Sequence, residues 1–216
     1  SLWLSPLMRD KVGYDVIRDY APVTLVASAP NVVVVHPSLP ANSVSELIAL
    51  AKSKPGELNY GSGSTGAPTH LAAELFKSMA GVNIVRIPYM GTSPAVNALL
   101  GGQIQMMFVS PAAVAPMAKA GKLRALAVST PRPSALAPGL PTMTASGLPG
   151  YESQSLYGLF APAKTPAALI SRMNREVVRV LNVPEAKERM LSSGVESAGS
   201  SPQQLAATLE SEIARW

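Results

Sequence analysis

Cysteine is absent from all 216 residues. The chain therefore builds no disulfide framework, no thiol nucleophile and no cysteine-ligated metal site. That absence suits an oxidising compartment, where free thiols are a liability, without requiring one. Charge is sparse as well, at 14% Asp, Glu, Lys and Arg, and aromatic residues make up only 5%. The 18 Lys and Arg give a net charge of +5 but are scattered, with no run of five. A nucleic-acid groove interleaves clustered basic and aromatic side chains, so no nucleic-acid partner is expected. Long hydrophobic runs are missing too. The most hydrophobic, Val32 to Val35, stops at His36-Pro37, which is strand length and excludes a membrane span there. What is present is 47% hydrophobic residues, enough for a real core. The chain opens on Ser1 without Met or a visible signal peptide, as a processed or truncated start would.

Periodicity and punctuation predict a βα alternation. Val23 to Ala27 and Val32 to Val35 are apolar, β-branched runs that read as buried strands. Ser43-Val44-Ser45-Glu46 is a capping box opening a helix that Lys54-Pro55-Gly56 ends. Strands follow at Leu58 to Tyr60, Ile84 to Ile87, Ile104 to Phe108 and Leu123 to Val128. Between them lie helices, two of which begin at Ser93-Pro94 and Ser110-Pro111 with Ser as N-cap and Pro at the first helical position. Residues 130 to 152 form a Pro-rich connection, the mark of a crossing or a functional loop. One more strand, Ser155 to Phe160, precedes C-terminal helices at Thr165-Pro166, Pro184 and Ser201-Pro202-Gln203-Gln204, the last another capping box. This order fits a lobe inserted into another lobe, with two crossings.

Three successive strands end in small polar residues that lead into helices: Ser62-Gly63-Ser64-Thr65-Gly66, Gly91-Thr92-Ser93 and Val109-Ser110. In a parallel βα sheet such turns share the edge where ligands bind. Helix N-termini offer free N–H groups and partial positive charge, glycine lets a ligand approach the backbone, and hydroxyls add donors. The pattern suits a small anion held mainly by neutral donors, though ordinary helix capping produces similar junctions.

Other chemistries lack their parts. Gly61 to Gly66 reads G-x-G-x-x-G, but the next strand, Ile84 to Tyr89, ends without the acid that binds a ribose, and the loop lacks a phosphate-binding Lys. No G-x-S-x-G elbow surrounds Ser64, and no carboxylate pair sits at the strand ends. His36 and His70 have no acid at ligand spacing, so neither a metal nor any other cofactor is expected. His70 lies in the first turn after the Gly loop, a place open to pocket lining, capping or packing. The nine Met are spread along the chain and read as core.

Several stretches together resemble the tripartite tricarboxylate transporter receptor family, or Bug proteins. They are Asp19 to Ala27 with Pro30 to Val34, Leu58 to Ser62 with Thr69 to Ala72, and Pro88-Tyr89-Met90-Gly91 with Leu100 to Gln103. Ala120 to Val128, Gly147 to Glu152 and Gly158 to Pro162 extend the likeness to essentially the whole chain. The resemblance implies an α/β, type 2 periplasmic-binding-protein fold whose two lobes, joined by two crossing strands, close over a carboxylate and deliver it to a membrane permease. It implies an inserted lobe over residues 30–152 and a first lobe from 1–29 with 153–216, incomplete because nothing supplies the family's opening strand and Pro-Gly-Gly loop. It implies no catalysis, a periplasmic location, and a ligand site at Ser62, Gly63, Ser64, Thr65, Gly66, Thr69, Gly91, Thr92, Ser93, Ala95 and Ser110, with Tyr157 a further candidate beside the return crossing. A sensing subunit on the same fold is the alternative. Two departures stand out: Met90 replaces a Lys common in the family, and Val109-Ser110 replaces Asp-Asn. Without that Asp, a plain carboxylate is favoured over an amino acid.

Overall fold

The structure is a computed structural model and describes Trp3 and residues 12–215. In chain order it holds α1 (Val16–Asp19), β1 (Tyr20–Pro30), β2 (Val32–Val35), α2 (Val44–Ser53) and β3 (Asn59–Ser62). Next come α3 (Pro68–Ala80), β4 (Val85–Pro88), α4 (Thr92–Leu100), β5 (Met106–Val109), α5 (Pro111–Lys119) and β6 (Arg124–Val128). The chain finishes with β7 (Gln154–Pro162), α6 (Ala167–Leu181), α7 (Pro184–Ser192), β8 (Glu196–Ser197) and α8 (Pro202–Arg215). These elements separate into two compact units, Ser1–Ser28 with Leu156–Trp216, and Ala29–Ser155.

The unit Ala29–Ser155 is built on a five-stranded sheet of order β4-β3-β5-β2-β6. β2 occupies an inner position because both of its faces are apolar. Val33 and Val35 join a cluster with Phe76, Phe108 and Tyr151, while Val32 and Val34 join another with Leu99, Met107 and Val114. An uninterrupted valine run is what a doubly covered strand requires. β3 runs parallel to β4 and β5, but β2 runs antiparallel to both β5 and β6. The sheet expected to be parallel thus carries one reversed strand.

Helix entries follow the sequence signals unevenly. Ser43 caps α2 by accepting from Glu46 N at 3.2 Å, while Glu46 Oε2 accepts from Asn42 N at 2.7 Å, one residue before the expected box. α4 starts at Thr92 with Gly91 as its N-cap, not at Ser93. Gly91 has φ +112°, a conformation that a side chain would strain, so the glycine sets the entry and Ser93-Pro94 fall in the first turn. Ser110 is the N-cap of α5 as expected, yet its hydroxyl makes no capping bond.

The Pro-rich stretch 130–152 is closely packed. Val128 N donates to Pro141 O and Met143 N to Val128 O, forming a single parallel bridge beyond β6. Met143, Leu148 and Tyr151 are buried in the first cluster, and Tyr151 Oη donates to Ala72 O of α3 at 2.7 Å. The stretch covers the sheet, which its prolines alone do not reveal.

The unit Ser1–Ser28 with Leu156–Trp216 has a three-stranded sheet of order β7-β1-β8. Buried Thr24 exchanges bonds with Ser200: its Oγ1 donates to Ser200 O at 2.8 Å and accepts from Ser200 N at 2.9 Å. Asn174 of α6 adds bonds to Val23 O and Ser200 O. Ser201 and Gln204 form a reciprocal capping box at the start of α8, at 3.1 and 2.8 Å.

Gly61 in β3 is a packing requirement. A Cβ there would lie 2.4 Å from Ile104 Cδ1 and 3.4 Å from both Ala95 Cβ and Tyr89 Cε2. Gly61→Ala is expected to cost about 1–3 kcal/mol by overpacking. Gly63→Ala, whose methyl would meet nothing nearer than Gly91 Cα at 3.9 Å, should change stability by less than about 0.5 kcal/mol. Urea unfolding of the two variants checks the contrast.

Candidate functional site

Because β3, β4 and β5 are parallel, Ser62, Pro88 and Val109 finish at one edge of the Ala29–Ser155 sheet. Reversed β2 brings its first residues to the same edge, with Val32 opposite Val109 and Val128. The loops after β3 and β4 lie side by side, as the 3.9 Å approach of Gly63's Cβ position to Gly91 Cα records.

Arg86 holds the loop after β3 from the neighbouring strand. Its Nε donates to Ser62 Oγ at 2.8 Å, Nη1 to Thr65 Oγ1 at 2.9 Å and Nη2 to Gly63 O at 2.8 Å. All three acceptors are neutral, and among the described residues no carboxylate lies within ion-pair range of this partly buried guanidinium. Hydrogen bonds to neutral oxygens orient the cation without cancelling its charge. The loop therefore carries an uncompensated positive charge beneath a run of Gly, Ser and Thr.

Behind the loop, Gly66 N donates to His70 Nδ1 at 3.2 Å. Burial lowers the His70 pKa, and the charges of Arg86 and Lys77 lower it further against the pull of Glu74. A neutral ring with Nδ1 as acceptor places its proton on Nε2. His70 thus takes a loop-holding role of the capping kind. Glu74 accepts from Tyr60 Oη and from Lys77 Nζ, the latter at 3.0 Å. Burial pushes its carboxyl upward, but these bonds outweigh that and hold it below its ordinary range. Glu74 is consequently spent on Tyr60 and Lys77 rather than on Arg86.

The candidate residues distribute as follows. Ser62, fully buried, and Thr65 are occupied by Arg86, as is the carbonyl of Gly63. Gly66 has φ +78° and shapes the turn that points its N–H at His70. Ser64, Thr69, Thr92, Ser93 and Ser110 commit no hydroxyl to a described hydrogen bond, and Ser64, Thr92 and Ser93 are exposed. Ala95 is fully buried in the second cluster, so its methyl is a core group and only its backbone N–H could serve a ligand. Tyr157 is 51% exposed and belongs to the other unit. Met90 is 99% exposed beside Gly91.

Sequence reasoning missed Arg86. The available signal was a lone Arg at an inward position of a four-residue strand, two residues after buried Ile84. Two cavities, of about 450 and 380 Å³, open against α5, β6 and Leu140, and no candidate residue lines either. Among the described residues, no cluster of three His, Asp or Glu could hold a metal, and no helix is long and apolar enough to cross a membrane.

The family model described as tripartite tricarboxylate transporter family receptor matches residues 1–216. A UPF0065 protein encoded in the tcbD-tcbE intergenic region of Pseudomonas sp. strain P51 is 35% identical over 207 residues, covering 95% of this chain and 62% of that relative. The chain thus spans less than two thirds of this relative's length. The structure of R. palustris Rpa4515 with adipate matches 95% of this chain and 69% of its own at 37% identity and TM-score 0.76. MatC of Rhodopseudomonas palustris with bound malate matches 100% and 73%, at 27% identity and TM-score 0.74. The α/β architecture is shared with that of periplasmic binding protein BugD, which matches 94% of this chain and 69% of its own at 29% identity and TM-score 0.72.

The depressed His70 pKa sets a pH dependence. The unfolded imidazole protonates near about 6.5, above the folded value. The neutral ring's contribution is complete above that pH and is lost as pH falls below it. Urea midpoints at pH 7.5 and 5.5 should fall further for the natural protein than for His70→Gln; equal falls would remove His70 from the effect.

Proposed function

The chain belongs to the tripartite tricarboxylate transporter receptor family, and from that premise we propose that it captures a small mono-, di- or tricarboxylate at the Ala29–Ser155 sheet edge. The ligand oxygens lie over the loop Ser62 to Thr69 and the start of α4 at Gly91-Thr92-Ser93. The observation that carries this reading is the Arg86 guanidinium, fixed by three neutral acceptors and paired with no carboxylate among the described residues. A cation already oriented, yet unneutralised, makes an anion the natural occupant. Ser64, Thr69 and Thr92 hydroxyls and the backbone N–H groups of Thr69, Thr92 and Ser93 supply neutral donors around it.

Binding is followed by hand-over to membrane permease subunits from a periplasmic location, with no bond made or broken. The neighbours carry adipate and malate, so dicarboxylates head the series to test. Ser110 at the end of β5 leaves no acid there for a ligand amine, so plain carboxylates bind more tightly than amino acids. Thr65 takes its place through Arg86, and Gly91 through its backbone approach to Gly63. Ala95 contributes at most a backbone N–H.

A thermal-shift and calorimetric series on the full-length protein tests this. A ligand that binds only the folded state stabilises it by about 2.7 kcal/mol at a hundred times its Kd. Adipate, malate or succinate is expected to give such a shift, and aspartate a smaller one. Arg86→Gln should weaken the bound carboxylate at least about tenfold, near 1.4 kcal/mol, and flatten the salt dependence. No shift with any carboxylate, or unchanged affinity in Arg86→Gln, overturns the reading.

A further inference from the structure

The side chain of Asn31 is the anomaly of this sheet edge. The residue is 4% exposed, and its Nδ2 is enclosed without a hydrogen-bond partner among the described residues. Buried amides are nearly always paired, and an orphaned donor loses its full solvation. Its backbone, in contrast, is fully engaged: Asn31 N donates to Ser129 Oγ at 2.9 Å, and Asn31 O accepts from Ser129 N at 2.8 Å.

The register places that amide among the site residues. Val33 and Val35 face the cluster containing Tyr60, Met106, Phe108 and Ala127, whereas Val32 and Val34 face the other. Alternation along β2 puts Asn31 on the Val33 face. By the same alternation Ser62 follows Tyr60, Ser110 follows Phe108, and Ser129 follows Ala127. Ser62 at the end of β3, and Ser110, Asn31 and Ser129, each one residue beyond β5, β2 and β6, therefore continue the same face in that order along the edge. Two of these are already committed. Ser62 Oγ accepts from Arg86, and Ser129 Oγ accepts from Asn31 N while donating to Ser153 O. Of these four, Asn31 alone brings a desolvated donor that no described residue uses.

We infer that Asn31 is a ligand-binding residue of the edge, its Nδ2 donating to a carboxylate oxygen of the captured molecule. This rests on the carboxylate reading above and adds to it a neutral donor from the reversed strand. The amide is kept unpaired at a cost to the unligated fold, and the ligand supplies the missing acceptor. Because the donor has no exposed surface in the unligated structure, a ligand oxygen reaches it only as neighbouring groups shift, and it then discriminates by the position of that oxygen, where Arg86 acts through charge.

The test compares the full-length natural protein with Asn31→Leu and Asn31→Asp, titrating adipate and malate calorimetrically and melting each protein without ligand. Asn31→Leu removes the orphan donor at similar volume. It is expected to melt no lower than the natural protein yet to bind at least tenfold more weakly. Asn31→Asp keeps the shape but sets a carboxylate against the ligand, and should bind more weakly still. If Asn31→Leu does not fold, the affinity of Asn31→Asp decides alone. Affinities within twofold of the natural protein overturn the assignment and leave the amide a structural feature. A loss of affinity matched by a collapsed unligated melt in both variants overturns it as well. Absence of carboxylate binding by the natural protein overturns the underlying reading together with this one.

Discussion

A guanidinium that, among the described residues, answers only to neutral oxygens organises this sheet edge. Arg86 reaches from β4 across β3 and fastens Ser62, Gly63 and Thr65 at once. Removing an ion from water costs several kcal/mol, which the fold normally recovers with an opposite charge. Here Glu74, which like Arg86 acts on Tyr60 and His70, is committed to Tyr60 Oη and Lys77, whose ammonium also sits 5.7 Å from the Tyr60 ring centroid. The diversion keeps the loop cationic. Burial, with the charges of Arg86 and Lys77, lowers the His70 pKa and favours the neutral ring, whose Nδ1 receives the Gly66 N–H and holds the far side of the loop. Loop shape and local charge are consequences of one set of contacts.

The sheet below gives that edge its precision. β2 is covered on both faces, and the two clusters it divides include residues from every helix of its unit. Gly61 admits Ile104, Ala95 and Tyr89 so closely that β3 cannot shift without disturbing the core. The Pro-rich stretch adds to this by burying Tyr151 and tying its hydroxyl to α3, the helix that opens beneath the loop. Polar groups at the edge are therefore carried on strand ends and helix starts that packing has already fixed, which is the arrangement that lets weak neutral donors select a ligand.

Local signals were legible where one residue decides the outcome. The valine run, the capping pair Ser201 and Gln204, and the glycines ending α2, α4 and α5 each appear where the sequence places them. The loop after β3 and the start of α4 were equally readable as a polar edge. What sequence could not supply was anything set by register. Ser93 looks like an N-cap because it precedes Pro94, yet Gly91 takes the cap since its backbone alone fits the turn. Arg86 appears as an ordinary strand residue until β4 is laid beside β3. Asn31 hides more deeply still. A parallel reading looks for ligand groups at strand ends, and a reversed strand offers its beginning instead.

The chemistry of the edge argues for discrimination by geometry more than by charge. Met90, where a Lys would add a second cation, is almost wholly exposed and offers none. Ser110 offers a hydroxyl where an acid would attract an amine. One fixed guanidinium lying partly beneath its own loop can balance one negative charge, and every further contact must come from hydroxyls, backbone N–H groups or an amide. Such donors are worth little when loosely placed and much when desolvated and fixed, because each one left without an acceptor carries its desolvation cost. A ligand oxygen that meets several of them gains what a displaced one forfeits. On the proposed carboxylate reading, selectivity among ligands of equal charge then follows from the spacing of their oxygens.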